Sequence, residues 1–160
     1  MSRFSWPALA AGLVVAALGV AGLVRGGIQP ATASGNTGAA PIVVVDPFVR
    51  PPVPPSQTAA AYFTVYNTTS VPDTLESVSS GAGGLAEVHE YVNGVMTAIS
   101  GGVTVPAHGS LVLSVGKAHV MISQLVGTLK AGQTVDLELL FANAGPVNVV
   151  APVIPFGGGK

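Results

Sequence analysis

The sequence predicts an all-β domain, a sandwich or barrel of short strands, standing behind an N-terminal apolar leader. From Pro41 onward, about nine or ten short apolar or alternating stretches are punctuated at close intervals by Gly, Pro, Asn and Asp. No amphipathic helical period is present outside the leader. A hydrophobic fraction of 49% in 160 residues is ample for one core, so one domain is expected. Strands of this kind bury their apolar faces by packing two sheets together.

Residues 1–25 form the leader, a signal peptide or membrane anchor helix. Met1 and Arg3 precede an uncharged run from Trp6 to Val24, closed by Arg25, which has the basic start and apolar centre of an export signal. The run is apolar all round with no polar stripe, which excludes a buried amphipathic helix, and it nearly spans a bilayer. Ala31-Thr32-Ala33 offers a cleavage site, and an uncleaved anchor is the other reading. Both place the domain outside the cytoplasm, in the periplasm or cell envelope. Residues 26–40, rich in Gly, Ala, Thr and Ser, read as a flexible linker.

The domain proper spans 41–153. Pro41 to Val45 is a first short strand, and the prolines at 51, 52, 54 and 55 belong on an edge or the surface because they cannot donate to a ladder. Ala59 to Tyr66 and Thr74 to Ser79 alternate as strands, with Asn67 to Asp73 as turn chemistry between them and a break at Gly81 to Gly84. Asn93-Gly94 is the strongest hairpin signal in the chain, joining Val88 to Val92 with Val95 to Ala98. Val103 to Val105, Leu111 to Leu113, His119 to Ser123, Thr134 to Phe141 and Val147 to Val150 complete the set. The tail of residues 154–160 is expected to be loose.

Six basic against seven acidic residues give a net charge of −1, no field for gripping a phosphate backbone, and hence no nucleic-acid partner. With no cysteine, a soft metal site has to use methionine and histidine, and a blue-copper centre is excluded. There is no nucleophile motif, zinc-binding helix or phosphate loop, so an enzyme is not expected.

Chemistry concentrates in two stretches. In extended conformation Ala118-His119-Val120-Met121-Ile122 puts an imidazole and a thioether on one face and aliphatic side chains on the other, a soft pair suited to Cu(I). The Asn93-Gly94 hairpin holds His89 and Met96. A two-residue turn pairs Val92 with Val95, Tyr91 with Met96, Glu90 with Thr97 and His89 with Ala98. Met96 then lies one diagonal step from His89, roughly 7 to 8 Å between backbones. Against these stand plainer roles: His119 as a surface residue beside a packed Met121, His89 as a solvated outward imidazole, and Met96 as packing for Tyr91. Glu87 and Glu90 flank His89 as orienting acceptors or as solvated charges. His108, in a Pro-Ala-His-Gly turn, reads as an exposed imidazole.

Several groups of residues occur in an order that resembles the periplasmic copper chaperones of the PCu(A)C family. They are Asp46-Pro47-Phe48-Val49-Arg50, Ala59 to Asn67, Asp73-Thr74-Leu75, Glu87-Val88-His89-Glu90, Gly94-Val95-Met96, Val105-Pro106-Ala107, His119-Val120-Met121 and Leu129 to Gly132. The resemblance runs from Ile42 to about Pro152. It implies a cupredoxin-like Greek-key β-sandwich that binds Cu(I) through two histidines and two methionines. It further implies delivery to the dinuclear copper centre of a respiratory oxidase subunit, often alongside a Sco-type protein. On this chain it points to His89, His119 and Met121, and the hairpin register offers Met96 as the candidate for the fourth ligand. One departure stands out: the family's hairpin is longer, and its methionine falls two residues beyond Met96, where this chain has Ala98. That leaves a weaker site, a re-sited ligand, or a non-metal interaction domain whose copper site has degraded.

Overall fold

The computed structural model describes residues 41–157, and the leader and linker lie outside them. Ten strands follow in chain order: β1 Ile42–Arg50, β2 Ala59–Asn67, β3 Asp73–Ser80, β4 Gly83–Val92, β5 Val95–Ala98, β6 Val103–Val105, β7 Ser110–Leu113, β8 His119–Leu125, β9 Thr134–Phe141 and β10 Gly145–Pro152. The described residues contain no helix. The all-β class is as expected, with one refinement. The strands join in a single continuous sheet, ordered β1-β2-β8-β4-β3-β9-β10, with β5 on β4, β6 on β3 and β7 on β2. A parallel bridge between Val49 and Val153 brings the two ends of that path together, so the sheet closes barrel-like around its core.

Alternation decides which face each strand buries. β9 is the clearest case: Val135, Leu137, Leu139 and Phe141 are buried while their neighbours are exposed. In β2 and β8, Ala59, Ala61, Phe63, Val120 and Ile122 enter the same core. Val88 of β4 is buried but Val92, on the same face, is 44% exposed, because the strand has by then run beyond the core into the hairpin. Gly83 marks the tightest approach between β4 and β8: an added Cβ would lie 2.6 Å from the Ser123 carbonyl oxygen.

The buried Asn67, 2% exposed, fastens the turn after β2. The Asn67 amide donates to the carbonyls of Val71 at 2.8 Å and Val105 at 3.3 Å, and its oxygen accepts from the Thr69 N–H at 2.9 Å. Asn67→Ala leaves these groups unpaired and is expected to cost about 1–3 kcal/mol, read as a lower midpoint of denaturant unfolding. The tail begins less loosely than its composition predicts. The Ile154 N–H donates to the Val49 carbonyl at 2.9 Å, Arg50 donates to the Pro155 carbonyl at 2.6 Å, and the Arg50 guanidinium lies 5.1 Å from the Phe156 ring centre.

Candidate metal centre

Three antiparallel pairings build the site. β4 lies beside β8 with His89 directly opposite His119 and Glu87 opposite Met121. On the other side of β4, β5 pairs Val92 with Val95, Tyr91 with Met96, Glu90 with Thr97 and His89 with Ala98, the register the Asn93-Gly94 turn predicts. Asn93 at φ 52° and Gly94 at φ 81° supply the two left-handed residues such a turn needs. β2 flanks β8 from the far side, with Ala60 opposite Met121 and Ala61 opposite Val120.

Residues directly opposite share a face. His89, His119, Met121, Glu87, Tyr91, Met96 and Ala98 therefore stand together on the face away from the core, and Val88, Val120 and Ile122 point inward. Non-local pairing thus brings together all four residues singled out in the sequence, at unequal separations. His89 and His119 are roughly 5 Å apart between backbones, and Met121 is one diagonal step from His89. Met96 is a diagonal step from His89 on the opposite side, so His89, His119 and Met121 form the compact group and the β4–β5 hairpin carries Met96 at its margin.

The outer face at this point is not a solvated one. His119 is only 9% exposed, and the His89 side chain 17%. The cover comes partly from an aromatic wall that local sequence does not reveal. Tyr62 of β2, 6% exposed, sets its ring 5.6 Å from that of His119 and stacks on Phe48 at 4.9 Å. Phe48 reaches that position because β1 has an extra residue at Asp46-Pro47, shifting its register between Val45 and Phe48. The only signal for this wall in the sequence is the alternation of Ala60 with Tyr62, which needs the β2–β8 pairing to acquire meaning.

The protonation of His119 follows from its partner. Its Nδ1 lies 2.9 Å from the Lys117 carbonyl oxygen, which can only accept, so Nδ1 carries the proton and the neutral ring keeps its lone pair on Nε2. His89 differs: its Nε2 lies 3.7 Å from Glu87 Oε2, and its Nδ1 is buried with no hydrogen-bond partner. Glu90 pairs with Thr97 on the opposite face and does not serve His89. His108 is exposed in its turn, apart from this group. Among the described residues no three His, Cys, Asp or Glu side chains gather as a metal-binding group, so a metal held here has to draw on methionine.

Burial pushes the Tyr62 phenol above its ordinary pKa, Arg50 opposes the shift, and Tyr91 adds to it. A raised folded value contributes stability that is present below the ordinary tyrosine range and lost as pH rises through the higher one. Alkaline titration followed at the tyrosinate absorbance is expected to show one late-ionising tyrosine, absent in Tyr62→Phe.

Fold and face together define a small extracore-site β-domain: a closed β-scaffold carrying imidazoles and thioethers on one covered face. The family described as "Putative lipoprotein LpqE-like" matches residues 42–153, and the chain belongs to this LpqE-like family. "Putative lipoprotein Lxx21020" of Leifsonia xyli subsp. xyli is 33% identical over 103 residues, 62% of this chain and 62% of that protein. The chain therefore spans less than two thirds of that relative's length. Among solved structures, the "Copper-bound PCuAC domain from PmoF2" superposes with a TM-score of 0.63 at 21% identity, covering 74% of this chain and 96% of that one. CuI-DR1885 from Deinococcus radiodurans gives a TM-score of 0.60 at 26% identity, over 77% and 84% respectively. The resemblance to PCu(A)C domains thus holds in the fold.

Proposed function

We propose that this protein is an extracytoplasmic Cu(I) carrier that holds one ion between His89, His119 and Met121, with Met96 as a fourth donor from the hairpin. One observation carries the reading: His89 and His119 face each other directly across β4 and β8, with Met121 on the same face and Nδ1 of His119 already engaged. A thioether beside two neutral imidazoles favours a soft monovalent ion over Zn(II) or Cu(II). The His89 Nδ1 supports the same reading, since a buried nitrogen without a partner is a donor awaiting one. The copper-loaded relatives of the same fold add to it.

Few ligands on one side of a sheet, rather than a closed cage, suit release to an acceptor. We assign that acceptor to a respiratory oxidase copper subunit, with a Sco-type protein as a second partner. We assign export, and membrane attachment where it stays uncut, to the apolar run of residues 6–24. Mass analysis of membrane and exported fractions is expected to find the chain either intact at the membrane or cut after Ala33. Recovery only from the cytosol would overturn that assignment.

The test of the carrier reading is an anaerobic Cu(I) titration of the full chain in mild detergent against a competing chelator. One equivalent is expected to bind, with both sulfur and nitrogen scatterers in X-ray absorption. Scattering from nitrogen and oxygen alone would remove the thioethers from the site.

A further inference from the structure

We propose that the two imidazoles present opposite ring nitrogens to the ion, Nδ1 from His89 and Nε2 from His119, and that Glu87 is the positioning residue that imposes this on His89. The inference rests on the carrier reading and adds what that reading leaves open: the donor atoms, and a role for one carboxylate. The two rings differ in their surroundings although they are paired directly across the strands. For His119, the Lys117 carbonyl 2.9 Å from Nδ1 takes the proton on that side. For His89, Glu87 Oε2 lies 3.7 Å from Nε2, beyond hydrogen-bond distance but with its charge facing that nitrogen.

A carboxylate oxygen attracts a proton on the nitrogen facing it, which favours the Nε2–H tautomer of His89 and leaves the lone pair on Nδ1. That Nδ1 is also the atom found buried and unpartnered. An unsatisfied buried nitrogen is costly, and a metal bond would remove that cost. Glu87 itself is half exposed at 47% and stands opposite Met121, so it flanks the donors without being buried among them. A negative charge at the far nitrogen raises the donor strength of the ring, as outer carboxylates do for histidine ligands. Glu90 lies on the other face and cannot substitute.

The experiment is nitrogen NMR of the full chain in detergent micelles, with 15N-labelled histidine, before and after one equivalent of Cu(I), which is diamagnetic. The expected result is metal-induced shifts at Nδ1 of His89 and Nε2 of His119, with the other nitrogen of each ring still protonated. Glu87→Leu is expected to lower Cu(I) affinity roughly 10- to 100-fold and to return His89 to a mixture of tautomers, with Glu87→Gln, which keeps an acceptor oxygen, falling between. Coordination of His89 through Nε2, or unchanged affinity in Glu87→Leu, overturns the proposal while leaving the carrier intact. No response of either imidazole to Cu(I) overturns the carrier reading itself.

Discussion

Met121→Leu is expected to lower Cu(I) affinity by roughly a hundredfold or more, beyond the 10- to 100-fold that loss of a supporting partner costs. The substitution removes the thioether from the compact group but nearly conserves volume, so the fold should lose less than about 1.5 kcal/mol. Met121 sits between Ala60 and Glu87 across the sheet, neither of which offers sulfur in its place. Met96→Leu is expected to cost less, about tenfold, because Met96 reaches the group only diagonally from β5. In the Met96→Leu background, Ala98→Met should restore the loss, since position 98 lies directly opposite His89. Chelator competition on the three variants decides between a four-ligand and a three-ligand site. If Met96→Leu changes nothing while Met121→Leu abolishes binding, the ion has three protein ligands and Met96 packs against Tyr91. If neither matters, the ion is not held here.

Asp73→Ala is expected to be the most destabilising single change away from the core, at about 3 kcal/mol. The Asp73 carboxylate, 5% exposed, accepts the backbone N–H groups of Thr74 at 2.8 Å, Asn143 at 2.9 Å and Ala144 at 2.9 Å. These contacts fasten the start of β3 to the β9–β10 turn, and bonds to a charged acceptor contribute about 1.5–3 kcal/mol each without adding fully. Asp73→Asn should recover less than half, because its amide brings two donors to a place that supplies only donors. Denaturant unfolding at neutral pH reads the difference. Since Asp73 stands on β3, away from the β8–β4–β5 face, the folded fraction of either variant should bind Cu(I) as before. Impaired binding in the folded protein would tie this fastening to the site.

What the sequence determined by itself was local. Alternation marked β9 from Thr134 to Phe141, Asn93-Gly94 fixed the β4–β5 turn and with it the pairing of Tyr91 with Met96, and His119 with Met121 followed from the two-residue period of a strand. Each depends on residues only a few positions apart. Turn chemistry also marked most of the breaks between strands, but β1 runs on past Val45 through Pro47 to Arg50 and β4 starts at Gly83, inside the expected Gly81 to Gly84 break, because pairing with β2 and β8 carries both strands through. Nothing local distinguishes two packed sheets from one sheet that closes on itself. That was decided by Val49 meeting Val153 across most of the domain's length. The centre of the candidate site was decided in the same way. His89 and His119 are thirty residues apart in the chain, and only the β4–β8 ladder sets them opposite each other. The β2–β8 pairing and the β1 bulge then turn an ordinary outer strand face into one walled by Tyr62 and Phe48. The physical reason is that strand pairing is specified by complementary faces and by loops of many residues, whose closing entropy depends only weakly on their length and carries no residue-level signature.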